Sequence, residues 1–164
     1  MPRPSDRQNS IILYSANKGV DAFVREIASA APLALVDTER FGVHSRFLRD
    51  VAHRMDLPTV RILEMVGVPK ATAAKKAVAN DVLSGSGGQA ALGMAKLMAK
   101  AQELVANSTA PEARNFDAAK WLGQWLDVPQ PALGGRTAGS LLGTPTGIEI
   151  VLRLLGAFES GAYQ

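Results

Sequence analysis

The sequence predicts an all-α protein: a small helix-turn-helix bundle followed by a second compact helical unit. Three observations predict it. Ala, Leu, Lys, Met and Gln are frequent, and no stretch alternates convincingly with period two. Gly and Pro fall in clusters that cut the chain into short apolar-periodic runs. The chain has 164 residues and no cysteine, so its core must close by packing alone, as a chain that buries about 70% of its unfolded surface can. The missing cysteine excludes a disulfide framework, a cysteine nucleophile and a zinc ribbon, and it fits a reducing compartment. No apolar run approaches the ~20 residues of a membrane span. Met1–Ser10 is polar and lacks the apolar stretch of a secretory signal. The expectation is a soluble cytoplasmic protein.

Residues 1–40 are read as a variable, mobile extension. Within it Asp21–Ala31 has the composition of a short helix that Pro32 ends, and Ser10–Ser15 reads as a strand or an irregular arm. Residues 41–107 form the next unit. Ser45 is a candidate cap for a helix whose stripe is Phe47, Leu48, Val51, Ala52 and Met55. Pro58 opens a second helix, which Gly67 closes because glycine tolerates positive φ. Pro69 opens a third, Lys70 to Leu83. Ser84–Gly88 reads as a flexible linker, and Gln89–Ala106 as a fourth helix with Leu92, Ala95 and Met98 or Ala99 at helical spacing.

Asn107–Glu112 is polar and contains a proline, which places a boundary there and leaves 108–164 as the last unit. Its first helix, Asn115–Leu126, carries both tryptophans, Trp121 and Trp125, on one face. Thr137 is a candidate cap for a short helix through Leu142, and Thr144-Pro145 starts a long helix to about Glu159. That helix has two apolar stripes, one of Ile148, Val151, Leu152, Leu155 and Phe158, the other of Ile150, Leu154 and Ala157. A helix apolar nearly all round must be covered on more than one side. The Trp121/Trp125 helix is expected to cover the first stripe; a second copy, another protein or the preceding unit covers the second.

The net charge is +3, unevenly spread. Residues 43–107 hold nine basic and five acidic residues, whereas 108–164 hold four and five. A basic middle suits an acidic polymer, though a solvated helical surface has the same composition. Two short helices about a glycine turn, with lysines on the second, form a candidate helix-turn-helix. Lys70, Thr72, Lys75 and Lys76 are then the groove-facing residues, while Arg46, Arg49 and Arg61 meet phosphates. A two-fold dimer on a palindromic site completes such an interface. An ordinary helical hairpin with solvated lysines is the competing reading.

No catalytic constellation is visible, and the chain reads as a non-enzyme without cofactor or metal. Gly134-Gly135-Arg136-Thr137 lacks the ending and the preceding strand of a phosphate loop. His44 and His53 are nine positions apart with no carboxylate at ligand spacing. Glu149 and Glu159 would stand about 15 Å apart on a straight helix, too far for a carboxylate pair.

The run Phe116-Asp-Ala-Ala-Lys-Trp-Leu, then Pro131-Ala-Leu-Gly-Gly-Arg-Thr, Ser140-Leu-Leu-Gly-Thr and Leu152-Arg-Leu-Leu-Gly-Ala-Phe-Glu-Ser-Gly-Ala-Tyr163 resembles the Xre/MbcA/ParS toxin-binding domain. Residues 45–106 resemble the helix-turn-helix domain that usually precedes it. The resemblance implies an antitoxin of a type II toxin–antitoxin pair. Its partners would be a RES-domain toxin that depletes NAD and the operator DNA of its own operon, which it would repress. Glu159, Ser160, Gly161, Ala162 and Tyr163 occupy the family's carboxyl-terminal motif and would plug the toxin's NAD pocket. Ile150 and Leu154 on the second stripe, with Arg136 and Arg153, complete the implied toxin-binding set. Ala138 stands where the family usually has proline. The alternatives are a dimeric regulator whose last unit only dimerises or holds an effector, and a protein adaptor with no DNA role.

Overall fold

The computed structural model describes residues 11–159. Its first helix, α1 (Val20–Ala28), places Val20, Phe23, Val24 and Ile27 at i, i+3, i+4 and i+7, and all four are buried. Tyr14 packs edge-on against Phe23 and Phe47, with ring centroids 5.5 and 5.2 Å apart. Its hydroxyl donates to Asp50 Oδ2. Burial first, then that carboxylate, pushes the Tyr14 pKa up. The Ile12 amide donates to Thr38 Oγ1 at 2.9 Å, on α2 (Pro32–Phe41). The expectation of a mobile extension therefore fails over residues 11–40. A complete helical stripe has to be covered, and the cover comes from residues distant in sequence. Residues 1–10 lie outside the described residues.

Helices α3 (Arg46–Arg54), α4 (Thr59–Val66) and α5 (Lys70–Val78) follow, with Gly67 in the left-handed region between the last two at φ 71°. Two expectations are corrected here. Helix α5 stops at Val78 rather than Leu83, because Asn80 turns the chain at φ 53° and Val82–Leu83 pairs with Val43–His44. These two-residue strands, β1 (43–44) and β2 (82–83), form an antiparallel ladder that closes the base of the bundle. Gly42 lies under it, and a Cβ there would come within 2.4 Å of the Leu83 carbonyl oxygen. Ser45 does not cap α3 with its side chain. The Arg46 amide instead donates to His44 Nδ1 at 3.1 Å, so His44 Nε2 carries the proton that it shares with Asn80 Oδ1 at 2.8 Å.

The expected flexible linker Ser84–Gly88 is a third correction. It is the first turn of α6 (Gly85–Ala106), which at about 1.5 Å per residue is roughly 33 Å long. Gly88 sits where a Cβ would meet the Leu83 carbonyl oxygen at 2.3 Å. The glycines there allow close packing at a helix start. Helix α6 is buried on most of its circumference, through Ala90, Ala91, Leu92, Gly93, Met94, Ala95, Leu97, Met98 and Ala101. Such a helix is a central strut, and α1, α7 and α8 all pack on it.

After a 3-10 turn at Pro111–Asn115, α7 (Ala118–Trp125) starts three residues later than expected, capped by Asp117 Oδ1, which accepts from the Lys120 amide. Thr137 caps the 3-10 turn Ala138–Leu141, and Thr144 caps α8 (Pro145–Ala157). Both threonines cap as their positions predict. Ala138, in the place of the family's proline, begins that turn and is fully buried. A single buried cluster runs from Tyr14 to Leu155. The all-α prediction holds, with the small ladder as its one sheet among the described residues. No described helix is long and apolar enough to cross a membrane.

Candidate functional site

The last helix is apolar on two sides, and the described residues bury one and cover the other only in part. Ile148, Val151 and Leu155 are buried against α6, where Gly93 lets Ile148 lie so close that a Cβ would stand 2.4 Å from its Cδ1. The tryptophan helix was expected to cover this stripe. It reaches only the end of α8, where Trp121 and Trp125 stack at 5.8 Å and meet Phe158 at 5.8 and 6.0 Å. The second stripe faces outward: Ile150 is 39% exposed, and Leu154 and Ala157 are half-buried. Arg153 and Glu149 flank it, exposed and paired with each other at 2.7 Å. Arg136 is exposed on the loop after Gly134 and Gly135, both at positive φ.

Glu159, the last described residue, is tethered to α6 and to Asn107 just after it. Glu159 accepts from Lys100 Nζ at 3.1 Å and from Asn107 Nδ2 at 3.3 Å. The lysine first, then the asparagine, holds its carboxyl below the ordinary carboxylate range. Glu159 thus sits at the junction of α6 and α8. Ser160, Gly161, Ala162 and Tyr163 lie outside the described residues.

Two arginines join this end to α3 and α4. Arg54 on α3 donates to Asp117 at 2.9 Å and to Asp21 at 3.2 Å, so α1, α3 and the α7 cap meet at one guanidinium. Arg61 on α4 donates to Asp127, just past α7, and to Glu64 at 3.1 Å. Arg61 was expected at a phosphate; its charge is engaged by two carboxylates instead. Between the two clamps, Gly123 presses on the α3–α4 corner, where a Cβ would lie 3.0 Å from the Met55 carbonyl oxygen.

The other basic residues sort by pairing. Lys76 is bound to Asp81 at 3.2 Å, and Arg46 lies 3.7 Å from Asp50. Arg49, Lys70 and Lys75 are exposed and make no ion pair among the described residues. Thr72 is exposed on α5, which has no fully buried residue. Among the described residues no three His, Cys, Asp or Glu side chains are grouped to hold a metal ion.

Residues 113–161 match a family described as the antitoxin Xre/MbcA/ParS C-terminal toxin-binding domain. Over 147 residues the chain is 32% identical to the Prs ADP-ribosylating antitoxin of Sphingobium sp. (strain YBL2), an alignment that spans 89% of this chain and 91% of that relative. The chain belongs to the Xre/MbcA/ParS antitoxin family. The antitoxin's matched segment begins in the 3-10 turn at 111–115, takes in α7 and α8, and runs past Glu159.

Sequence reasoning missed Asp117, Arg54 and Asp127. An Asp immediately before an apolar-periodic run is a readable capping signal, but the long-range partners of Arg54 and Arg61 leave no trace in local pattern. Burial tends to raise the Asp117 pKa. The Lys120 amide and the Arg54 guanidinium outweigh it and hold the carboxyl below the ordinary aspartate range. A depressed carboxyl pKa contributes stability above its unfolded value that is lost as pH falls through the folded value. Asp117→Ala is therefore expected to cost about 1–2 kcal/mol at neutral pH, mostly as a lost cap. The gap from the parent should narrow as pH drops below the ordinary carboxylate value. Urea melts of both proteins at several pH values check this.

Proposed function

We propose that this antitoxin neutralises a RES-domain, NAD-consuming toxin by lodging residues 159–163 in the toxin's NAD pocket. The observation that carries the reading is the coincidence of the toxin-binding family match with the unit whose outer apolar stripe the described residues cover only in part, with Ile150 exposed and Leu154 half-buried. The segment 108–164 is assigned to the toxin, with Arg136 and Arg153 at the rim of the contact. Plugging needs burial and exclusion of substrate, and no chemistry from this chain.

The name of the Sphingobium relative adds the toxin's chemistry, since it couples that antitoxin with ADP-ribosylation of Prs. Depletion of NAD and ADP-ribosyl transfer both break the bond between nicotinamide and ribose. They differ only in whether water or a protein side chain takes the ADP-ribosyl group. A plug that keeps NAD out stops either.

We further propose that residues 41–107 bind operator DNA as a homodimer and repress the antitoxin's own operon. Lys70, Thr72 and Lys75 on the exposed α5 are the groove-facing group, with Arg46 and Arg49 at phosphates. Lys76 is a lesser contributor because Asp81 holds it, and Arg61 is left out.

One experiment separates the two tasks. The antitoxin is mixed with the toxin encoded beside it, and NAD consumption and ADP-ribosylation are measured; binding to promoter DNA is measured in parallel. Both toxin activities should fall to background at equimolar antitoxin. Arg46→Ala with Arg49→Ala should leave that inhibition unchanged and make the slope of log K against log salt shallower by about 1.8, two phosphate-equivalents. A toxin indifferent to the antitoxin would overturn the first assignment, and an unchanged slope the second.

A further inference from the structure

We propose that Lys18, in the segment ahead of the helix-turn-helix, contacts a backbone phosphate of the bound DNA, so that residues 11–28 form part of the DNA surface. The inference rests on the DNA reading above. It starts from a cleft of about 730 Å³ between the N-terminal segment and the α3–α4 corner, whose walls include Lys18, Arg46, Arg49 and His53. A second cavity, of about 420 Å³, lies between α3, α4 and α5 and contains Lys70. Arg46, Arg49 and Thr59 line both. The two hollows therefore share a wall, and a row of cations runs from Lys18 through Arg49 and Arg46 to Lys70 at the start of α5.

The acidic residues in the larger cleft are already engaged. Asp50 accepts from the Tyr14 hydroxyl and faces Arg46, and Asp21 is held by Arg54. Lys18 and Arg49 are exposed and make no ion pair among the described residues. Helix α4 begins at the shared wall with no side chain capping its first amides, and such amides favour an anion when cations stand beside them.

Lys18 is also held in place. The Ser15 carbonyl accepts from the amides of both Lys18 and Gly19 at 3.1 Å, and Gly19 turns at φ 86°. Tyr14 and Val20, buried on either side, pin the turn to the core. An exposed lysine on a pinned turn loses little freedom on meeting a phosphate. An open track of cations that ends at a candidate recognition helix suits a continuous polyanion better than a small anion.

The test uses the full chain and a labelled duplex of its own promoter, titrated between 50 and 200 mM salt. Lys18→Ala should make the slope of log K against log salt shallower by about 0.9, the share of one phosphate. Lys18→Arg should restore it. Arg25→Ala removes the same charge from an exposed position on α1 outside the cleft and should leave the slope unchanged. Thermal melts and toxin inhibition should match the parent in all three. A parent that binds DNA with a slope that Lys18→Ala does not alter overturns the proposal, as does an equal loss in Arg25→Ala. A parent with no salt-dependent DNA binding overturns the DNA reading, and this proposal with it.

Discussion

Removal of Glu159–Gln164 is expected to leave a folded protein that no longer neutralises its toxin. The described residues say why the fold survives. The buried face of α8 ends with Leu155, and Phe158, which the truncated chain keeps, closes the Trp121/Trp125 stack. Of the residues removed, Glu159 contributes a pair with Lys100 whose side chains are 38% and 22% exposed. An exposed pair of this kind adds little, because solvent screens it. Thermal melting should therefore shift by only a few degrees. The functional loss is of another order. If the tail is the plug, its residues are the centre of the interface, where truncations typically cost about 2 kcal/mol or more, roughly thirtyfold in affinity. Co-expression with the toxin gives the growth readout, and titration of the purified pair gives the affinity. Cells that still survive with the truncated antitoxin would show that the plug lies elsewhere.

Gly147→Ala is expected to unfold much of the carboxyl-terminal unit. A Cβ at this position would stand 1.7 Å from the Leu141 carbonyl oxygen and 2.7 Å from its carbonyl carbon. Both are backbone atoms, so no rotamer change relieves the overlap. The first turn of α8 rides directly on the 3-10 turn Ala138–Leu141, and Gly147 also donates its amide to the Thr144 cap at 3.0 Å. Separating the two turns would pull Ile148 and Val151 off α6. We expect a loss of about 3 kcal/mol or more, the upper range for an overpacked site, against a total of about 5–15 kcal/mol for a domain. Chemical denaturation measures it, with Gly143→Ala as the control. A Cβ at Gly143 would be 3.9 Å from its nearest neighbour, the Met65 carbonyl oxygen, an ordinary contact. Equal stability of the two variants would refute the argument.

The two cases show what local pattern carries. Thr137, Thr144-Pro145 and Gly67 announce their turns through hydrogen bonds and φ preferences that span three or four residues, and each acts as the pattern predicts. Asn80 and Ser84–Gly88 read wrongly from the same kind of signal. A strand of two residues is too short for a period, and a glycine run looks like a linker whether it is solvated or pressed against a carbonyl.

For the functional surfaces, residue type and spacing pointed to an outward stripe on α8 and to lysines on α5, and the structure places Ile150, Lys70 and Lys75 at exposed positions there. Arg61 could not be sorted that way. From the sequence it is one more cation near a turn; in the fold Asp127, 66 positions on, engages it.

The sequence by itself determined the all-α class, the limits of α4, the starts of α5 and α8 and the apolar girdle of α8, because each is decided within a turn or two of chain. Only the tertiary structure decided that α6 covers the inner stripe, that residues 11–40 contribute to the core, and which cations are engaged by carboxylates. Those outcomes depend on which surfaces distant in the chain come into contact. That selection is made by the total burial of all the helices together, a quantity no single segment contains.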